Sequence, residues 1–246
     1  MNQRQQKILG LLAEDAHATV SRLSRAFQVS DVTIRQDLTQ LENEGLLKRV
    51  HGGAVLRQSE DIASRLGFNY AAKARIAARA AELVEEGETV LIESGSANAL
   101  LARELSGRRG INLVTTNVFI ARELRNRKTQ VILLGGIYQH ESESLVGSLT
   151  RTCLEQIHFS KAFLGIDGYT PSAGFTSTDL MRAEIAAIIA HKAEEVYVVS
   201  DSSKFGRVGL TGLFPPEQVS CVITDNGIPY QHQTKLEARG VKIIAV

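Results

Sequence analysis

The 246-residue sequence lacks any uninterrupted apolar run of the about 18 residues that a membrane-spanning helix needs. Its first residues, MNQRQQKILGLLAEDA, also lack the cleavable pattern of a secretory signal, so we expect a cytoplasmic protein with no membrane partner. The two cysteines, Cys153 and Cys221, are far apart and have no C-x-x-C companion, which argues against a disulfide framework or a zinc site. We expect both to be buried apolar residues.

Several signatures of catalysis and of cofactor binding are also missing. The histidines show no H-x-x-x-H or H-E-x-x-H spacing, and there is no G-x-S-x-G, P-loop or dinucleotide-binding glycine pattern. We therefore expect no metal, no cofactor and no enzymatic activity.

The formal net charge is only +1, which argues against a protein whose whole surface binds nucleic acid. A single small domain can still bind DNA locally. Residues 1–57 carry eight Lys and Arg against six Asp and Glu, a local excess of two positive charges. That excess permits DNA binding without requiring it.

The first 57 residues have the pattern of a helix-turn-helix. A first helix is predicted over QRQQKILGLLAE, a second over VSRLSRAF with Thr19 as its N-cap, and a third after Ser30, with the Ser30 hydroxyl as N-cap. About four residues join the second and third helices, as in DNA-binding helix-turn-helix domains. LLKRVHGGAVLR then predicts a β-hairpin wing that turns at Gly52-Gly53.

The third helix carries polar residues of the kind that contact DNA bases. Ile34, Leu38 and Leu41 recur at helical spacing and are expected to face the core. The outward side chains can bond base edges or phosphates in a major groove, and Lys48 and Arg49 of the wing are candidate phosphate contacts. An ordinary solvated helix face is the alternative. The outward residues are Thr33, Arg35, Gln36, Thr39 and Gln40.

Beyond residue 70 the pattern changes to short apolar runs that alternate with helical segments. The runs are ETVLIE, INLVTT, QVILLGG, KAFLGID, EVYVVSD, SCVITD and VKIIAV. Runs of this kind are typical of strands covered by helices on both faces, in a mostly parallel α/β sheet. We therefore predict an α/β protein with a winged helix-turn-helix domain over residues 1–57, a linker over 58–70 and an α/β domain over 71–246.

Several of these runs end in small or polar residues, as expected of a ligand site beyond the carboxyl ends of parallel strands. Glycines there let the backbone approach a ligand, and helix N-termini favour anions such as phosphate. Ordinary strand-to-helix turns use the same residue types, so for any single ending a turn is the better explanation, whereas five such endings together favour a ligand site. Lys204 in DSSKFG is the candidate most expected to contact a ligand, and Asp167 can accept hydrogen bonds from sugar hydroxyls.

The motifs together resemble a known family. VSDVTIRQDLTQLENEGLLKRVHGGAV is similar to the helix-turn-helix and wing of the DeoR family of bacterial transcriptional regulators, and the likeness continues through TNV, ILLGG, FLGIDG, GFTSTDLMRAE and DSSKFG. The resemblance implies an oligomeric cytoplasmic regulator, usually a repressor. It also implies a C-terminal domain that resembles ribose-phosphate isomerases and binds a sugar phosphate or related metabolite.

From the residues and the resemblance together we predict two sets of site residues. The DNA-binding set is Ser30, Thr33, Arg35, Gln36, Thr39, Gln40, Lys48, Arg49 and His51. The effector-binding set is Glu93, Gly95, Ser96, Asn98, Thr116, Asn117, Gly135, Gly136, Asp167, Gly168, Glu184 and Lys204. The expected partners are double-stranded operator DNA, a small metabolite and a second copy of the chain, because a two-fold pair of heads reads two half-sites.

The sequence departs from the family at two places. Where the family commonly has Asp followed by x-G-T-T, this chain has ESGSAN, with Glu93 in the Asp position and Ser96-Ala97 in place of the threonine pair. Ala186 stands where the family often has a basic residue. We expect an effector that is less anionic or shaped differently from a standard sugar phosphate.

Two other functions remain open at this point. An isomerase-like enzyme with an attached DNA-binding head would use Asp167, Glu184 and Lys204 as base, acid and electrostatic stabiliser. A structural adaptor would use the N-terminal domain to bind protein. Turnover of sugar phosphates and salt-dependent binding to a palindromic DNA fragment distinguish these functions from a DNA-binding regulator.

Overall fold

The computed structural model describes residues 2–15, 17–44, 46–56 and 62–246. They form two compact units, with the boundary between Tyr70 and Ala71. Gly45 and residues 57–61, which include the first part of the predicted linker, lie outside the described residues. None of the described helices is long and apolar enough to cross a membrane.

The described residues of the first unit form three helices, a three-stranded sheet and a short fourth helix. In chain order these are α1 (Gln3–Asp15), β1 (His17–Thr19), α2 (Val20–Phe27), α3 (Asp31–Asn43), β2 (Leu47–Val50), β3 (Gly53–Leu56) and α4 (Ile62–Leu66). The antiparallel sheet has the order β1-β3-β2, so the wing hairpin pairs with the strand that precedes α2. This confirms the predicted winged helix-turn-helix. The strand β1 was not predicted.

Side-chain caps and an apolar stripe fix the two central helices. The hydroxyl of Thr19 accepts a hydrogen bond from the amide of Arg22, and that of Ser30 accepts one from the amide of Thr33, each at 3.2 Å. These bonds satisfy amides that have no partner within the helix. The predicted inward residues of α3, Ile34, Leu38 and Leu41, are buried in the core of the unit.

The wing turns one residue earlier than predicted. Val50 pairs with Gly53, so the turn residues are His51 and Gly52, and Gly52 has a φ of 75°. Gly53 instead lies in β3 against the neighbouring strand, where an added Cβ would stand 2.3 Å from the carbonyl oxygen of Ala18. The prediction of a Gly52-Gly53 turn was therefore wrong: the second glycine is required by close strand packing.

The second unit is an α/β domain. In chain order its elements are α5 (Tyr70–Ala81), β4 (Thr89–Ile92), α6 (Ser96–Leu105), β5 (Asn112–Thr115), α7 (Val118–Glu123), β6 (Gln130–Leu133), β7 (Ile137–Gln139), β8 (Ser144–Val146), α8 (Ser148–Glu155), β9 (Lys161–Leu164), β10 (Gly168–Thr170), β11 (Gly174–Ser177), α9 (Leu180–Lys192), β12 (Glu195–Val199), β13 (Thr211–Gly212), β14 (Cys221–Thr224), α10 (Tyr230–Glu237) and β15 (Lys242–Ala245). Single 3-10 turns lie at Ser202–Lys204 and Pro216–Gln218.

Seven strands form one parallel sheet, in the order β15-β14-β12-β9-β4-β5-β6. They are the seven apolar runs predicted from the sequence. From β4 the chain extends the sheet through β5 and β6, then returns to the other side of β4 with β9 and continues through β12, β14 and β15. The order therefore reverses between β4 and β9, which is where open α/β sheets bind ligands.

Two small antiparallel sheets, β7-β8 and β10-β11-β13, were not predicted. Tyr169 of β10 and Phe175 of β11 are fully buried and belong to the main core of the unit. Cys221 is buried as expected, and burial raises the pKa of its thiol to about 11. Cys153 is only half-buried at the margin of the core, so the expectation was wrong for this residue.

Candidate functional site

Two side chains predicted to read DNA extend from α3 into solvent. Arg35 and Gln36 are exposed, and no hydrogen bond or ion pair to another described residue restrains either side chain. Val32, one helical turn before Gln36, is 64% exposed. An arginine and a glutamine next to an exposed apolar group suit contacts to guanine, adenine and the thymine methyl group.

Three other predicted DNA contacts are held by hydrogen bonds within the unit. Arg49 donates from Nη1 to the hydroxyl of Thr39 at 2.7 Å, which ties the wing to α3. Gln40 accepts a bond from Gln5 at 2.8 Å and donates to Glu44 at 3.1 Å. These bonds order the surface beside Arg35 and Gln36.

The remaining predicted DNA contacts lie at the start of α3 and on the wing. Ser30 and Thr33 share a cap, with their hydroxyl oxygens 2.9 Å apart. Lys48 of β2 and His51 of the turn are exposed. The structure thus brings a helix N-terminus, an exposed helix face and a basic wing together in one unit, which is the combination that winged helix-turn-helix domains use against phosphates and bases.

A buried carboxylate holds α3 against α1. Asp37 is 5% exposed and accepts from Arg4 Nε at 2.5 Å and from Gln5 Nε2 at 3.3 Å. Because this network anchors α3 on its inner side, it fixes which face of the helix is turned to solvent.

In the second unit, the predicted ligand residues Glu93 and Gly95 lie where the strand order reverses. Glu93 follows β4, is 7% exposed, and accepts a hydrogen bond from the amide of Gly165 after β9 at 3.3 Å. An added Cβ on Gly165 would stand 2.7 Å from the carbonyl oxygen of Ser94, so the two strand ends approach each other closely. Gly95 has a φ of 131°, which glycine adopts easily.

Burial raises the pKa of Glu93 to about 7, against an ordinary value of 4.5. The positive charge of Arg182 and hydrogen bonds from the backbone of Gly165 and Ser94 oppose this shift, and the negative charge of Asp167 adds to it. Glu93 is therefore a carboxyl group that carries its proton through much of the range up to neutral pH, and a protonated carboxyl can donate a hydrogen bond to a ligand as well as accept one.

Asp167, at the end of the loop after β9, is the centre of a second cluster. Its Oδ2 accepts from Thr178 N at 3.0 Å and Thr178 Oγ1 at 2.9 Å, from Ser177 Oγ at 3.3 Å and from Arg182 Nη2 at 3.3 Å. Both partners of the Asp167–Arg182 ion pair are mostly buried. Arg182 was not predicted, although it lies within the motif GFTSTDLMRAE, where an arginine four residues after Thr178 was the available signal.

The N-terminus of α6 faces the same end of the sheet. Ser96 is buried at its first position, and Asn98 donates from Nδ2 to the carbonyl oxygens of Ser94 and Phe163 at 3.0 and 3.1 Å. The Oδ1 atom of Asn98 is buried and has no hydrogen-bond partner among the described residues. A buried acceptor in this position favours a ligand that donates a hydrogen bond.

Four other predicted ligand residues make contacts within the fold. The Asn117 side chain donates to the carbonyl oxygen of Ser142 at 2.9 Å and caps α7, and the carbonyl oxygen of Thr116 accepts from Leu145 at 2.7 Å. An added Cβ would lie 2.0 Å from Thr150 Oγ1 at Gly136 and 2.4 Å from the Arg207 carbonyl oxygen at Gly168. Gly135 has no such restriction: an added Cβ would be 3.9 Å from its nearest neighbour.

The last two predicted ligand residues lie in different places. Lys204 ends the 3-10 turn after β12 and is half-buried, with its amide bonded to the carbonyl oxygen of Asp201. Glu184 is half exposed and pairs with Arg151 of α8, so the structure does not bring it together with Asp167. Ala186 is buried in the apolar core, and its lack of charge therefore says nothing about the ligand.

Val32 was missed as a candidate DNA contact. It lies out of phase with the stripe of Ile34, Leu38 and Leu41, and an apolar residue outside that stripe was the available signal.

Models of known protein families match both parts of the chain. The DeoR-like helix-turn-helix domain matches residues 4–60, and the DeoR C terminal sensor domain matches residues 68–226. The HTH-type transcriptional regulator GolR of Listeria innocua is 34% identical over 98% of this chain and 97% of its own length. The lactose phosphotransferase system repressor of Lactococcus lactis is 33% identical over 93% of this chain and 92% of its own.

The similarity to solved structures is more distant. Ribose 5-phosphate isomerase A of Methanocaldococcus jannaschii is 20% identical, covers 56% of this chain and 55% of its own, and superposes with a TM-score of 0.43. A likeness of that size carries no argument about chemistry. The two matched domain models and the full-length relatives show the family: the chain belongs to the DeoR family of transcriptional regulators.

Proposed function

We propose that this protein is a repressor whose first unit binds operator DNA and whose second unit binds a phosphorylated sugar or a related metabolite that changes the affinity for the operator. The observation that carries the first half is the exposed pair Arg35 and Gln36 on a capped helix of a winged helix-turn-helix. The protein acts in the cytoplasm as a homo-oligomer, because two heads related by a two-fold axis read two half-sites.

The residues that contact DNA directly in this proposal are fewer than the nine predicted from the sequence. Arg35, Gln36 and Val32 contact base edges in the major groove, and Lys48 and His51 contact phosphates. Thr39 and Gln40 support this surface through their bonds to Arg49 and Gln5. A positioned face of this kind reads sequence, whereas a mobile basic tail would bind any DNA.

The ligand site lies beyond the carboxyl ends of β4, β9 and β12. The positive charge of Arg182 offsets the negative charge of Asp167, and Glu93 carries a proton up to about neutral pH. The acidic groups therefore add little net negative charge to the site. The amides at the start of α6 and the cation of Lys204 favour a phosphate or another anion, and Glu93 with Asn98 favours hydroxyl groups. A polyol or sugar with one anionic end fits both features.

The alternative of an isomerase is less well supported. The Asp167 oxygen that would act as a base is occupied by hydrogen bonds from Ser177, Thr178 and Arg182. Glu184, the candidate acid, pairs with Arg151 on a different side of α9. Turnover of ribose 5-phosphate at roughly 1 per second or more would contradict a non-catalytic function.

The first experiment is selection of DNA duplexes by the full-length protein from a random pool, followed by measurement of Kd as a function of salt. We expect a palindromic sequence and a Kd that rises steeply with salt. Arg35→Ala should weaken binding to the selected duplex by about 1–3 kcal/mol and relax one base position. Arg125→Ala removes an exposed charge of the second unit and is the matched control, with no expected effect.

A second experiment tests the ligand site. Metabolites are screened by thermal shift, because a ligand that binds only the folded state stabilises it. Lys204→Ala should remove the shift given by an active compound and leave the affinity for the selected duplex unchanged. A variant that responds as the wild type does would place the site elsewhere.

A further inference from the structure

A buried ion pair joins the candidate ligand site to the first helix of the second unit. Lys73 of α5 places its Nζ 3.7 Å from Oδ2 of Asp201, and the two side chains are 5% and 3% exposed. A buried charge that loses its partner is costly, so the two groups are strongly constrained to stay together.

Asp201 is part of the turn that carries Lys204. Its Oδ1 accepts a hydrogen bond from the amide of Ser203 at 3.1 Å, and its carbonyl oxygen accepts one from the amide of Lys204 at 3.3 Å. Asp225 holds the same turn through the amide and hydroxyl of Ser202, at 2.6 and 2.8 Å. A displacement of this turn by a ligand at Lys204 therefore moves the carboxylate that Lys73 contacts.

Lys73 is also only five residues along the chain from Phe68, which belongs to the first unit. Phe68 packs against the core of that unit, Asn69 has a φ of 51°, and α5 begins at Tyr70. Five residues can span at most about 17 Å, and the part that is helical spans less. So short a connection cannot absorb a movement of α5 as a long flexible linker would.

We propose that Lys73 is a positioning residue that transmits the state of the ligand site to the DNA-binding unit. The proposal rests on the proposed function. A ligand at the Ser202–Lys204 turn shifts Asp201, Lys73 follows its counter-charge, and α5 carries the shift to the segment that contains Phe68. The Lys73–Asp201 pair then belongs to a two-state element whose equilibrium both the ligand and the operator bias.

The test compares Lys73→Met, Asp201→Asn and the double variant with the wild type, using the full-length protein and the duplex selected by the wild type. Each single variant removes one charge of this buried pair while the other charge stays buried, and is expected to lose stability. The double variant removes both charges, so its Tm should recover toward that of the wild type while the connection stays broken. We expect its operator Kd to shift by about five-fold or more, the lower end of usual allosteric coupling.

Lys161→Met is the matched control. Lys161 of β9 forms another ion pair of the second unit, with Glu88 at 2.7 Å, at the amino-terminal ends of the strands and away from the candidate ligand site. This variant should lose stability without shifting the operator Kd. A second readout needs no DNA: amide hydrogen exchange of residues 62–69 should become faster in the double variant and stay unchanged in Lys161→Met.

Each outcome decides the proposal. An operator Kd of the double variant within about five-fold of the wild type, with unchanged hydrogen exchange, overturns it. So does an equal shift in Lys161→Met, because operator affinity would then only follow stability. If the wild type selects no DNA sequence, the proposed function itself is wrong, and the inference is rejected together with it.

Discussion

Replacing Glu93 by glutamine should make the second unit more stable at pH 8 and leave its stability at pH 5 much less changed. Burial raises the pKa of Glu93 from an ordinary 4.5 to about 7. The folded protein therefore holds this proton more tightly than the unfolded chain does. The contribution of Glu93 to stability is therefore greatest below about pH 4.5, falls as the pH rises through the range up to about 7, and is level above that.

The size of the effect follows from the two pKa values. Each difference of one in pKa corresponds to about 1.4 kcal/mol, so the charged form of Glu93 costs the folded state about 3 kcal/mol at alkaline pH. Glutamine has nearly the same shape, keeps an oxygen that can accept from the Gly165 amide, and has no charge to bury. The stability difference between Glu93→Gln and the wild type should widen by about 2–3 kcal/mol between pH 5 and pH 8.

The measurement is urea unfolding of both proteins at each pH, followed by a probe in the second unit. Using the difference between the variant and the wild type removes the contribution of the histidines and other carboxylates, which titrate in both. Glu86→Gln, at an exposed position, is the control and should show no pH-dependent difference. A variant that is less stable than the wild type at pH 8, or a difference that does not change with pH, would refute the argument that burial dominates at Glu93.

Two further predictions concern positions that the fold explains without a ligand. Gly136→Ala should destabilise the second unit by about 1–3 kcal/mol, because its Cβ would overlap Thr150 Oγ1, whereas Gly135→Ala should be tolerated; equal unfolding midpoints for the two would contradict this. Asp37→Asn should weaken the first unit by about 1–3 kcal/mol, because a neutral amide replaces the buried carboxylate that Arg4 and Gln5 contact, and unchanged thermal unfolding would show that this network contributes nothing.

The large elements were predictable because each has a strong local signal. The seven strands of the parallel sheet are continuous runs of Val, Ile and Leu, and the caps Thr19 and Ser30 precede helices with a clear apolar period. The strands that were missed have two to four residues, and β1 pairs with β3, whose residues lie more than thirty positions away. No local pattern predicts such a pairing.

The glycines of the wing show a second limit to what the sequence alone can predict. The pair Gly52-Gly53 is a strong turn signal, but only Gly52 has a positive φ. Gly53 is required because β1 passes so close that a side chain would meet Ala18. Sequence identifies glycine as necessary in both positions and does not distinguish backbone conformation from close packing.

The motif GFTSTDLMRAE shows why nearby motif residues need not share a site. Arg182 and Glu184 are two positions apart on α9, and helical geometry turns their side chains about 200° away from each other. Arg182 meets Asp167 at the carboxyl ends of the strands, and Glu184 meets Arg151 on α8. Only one of the two can therefore contact a ligand beside Asp167. Arg182, one helical turn before the buried Ala186, therefore places a cation beside Asp167 and offsets its negative charge, which the sequence-based comparison at position 186 did not indicate.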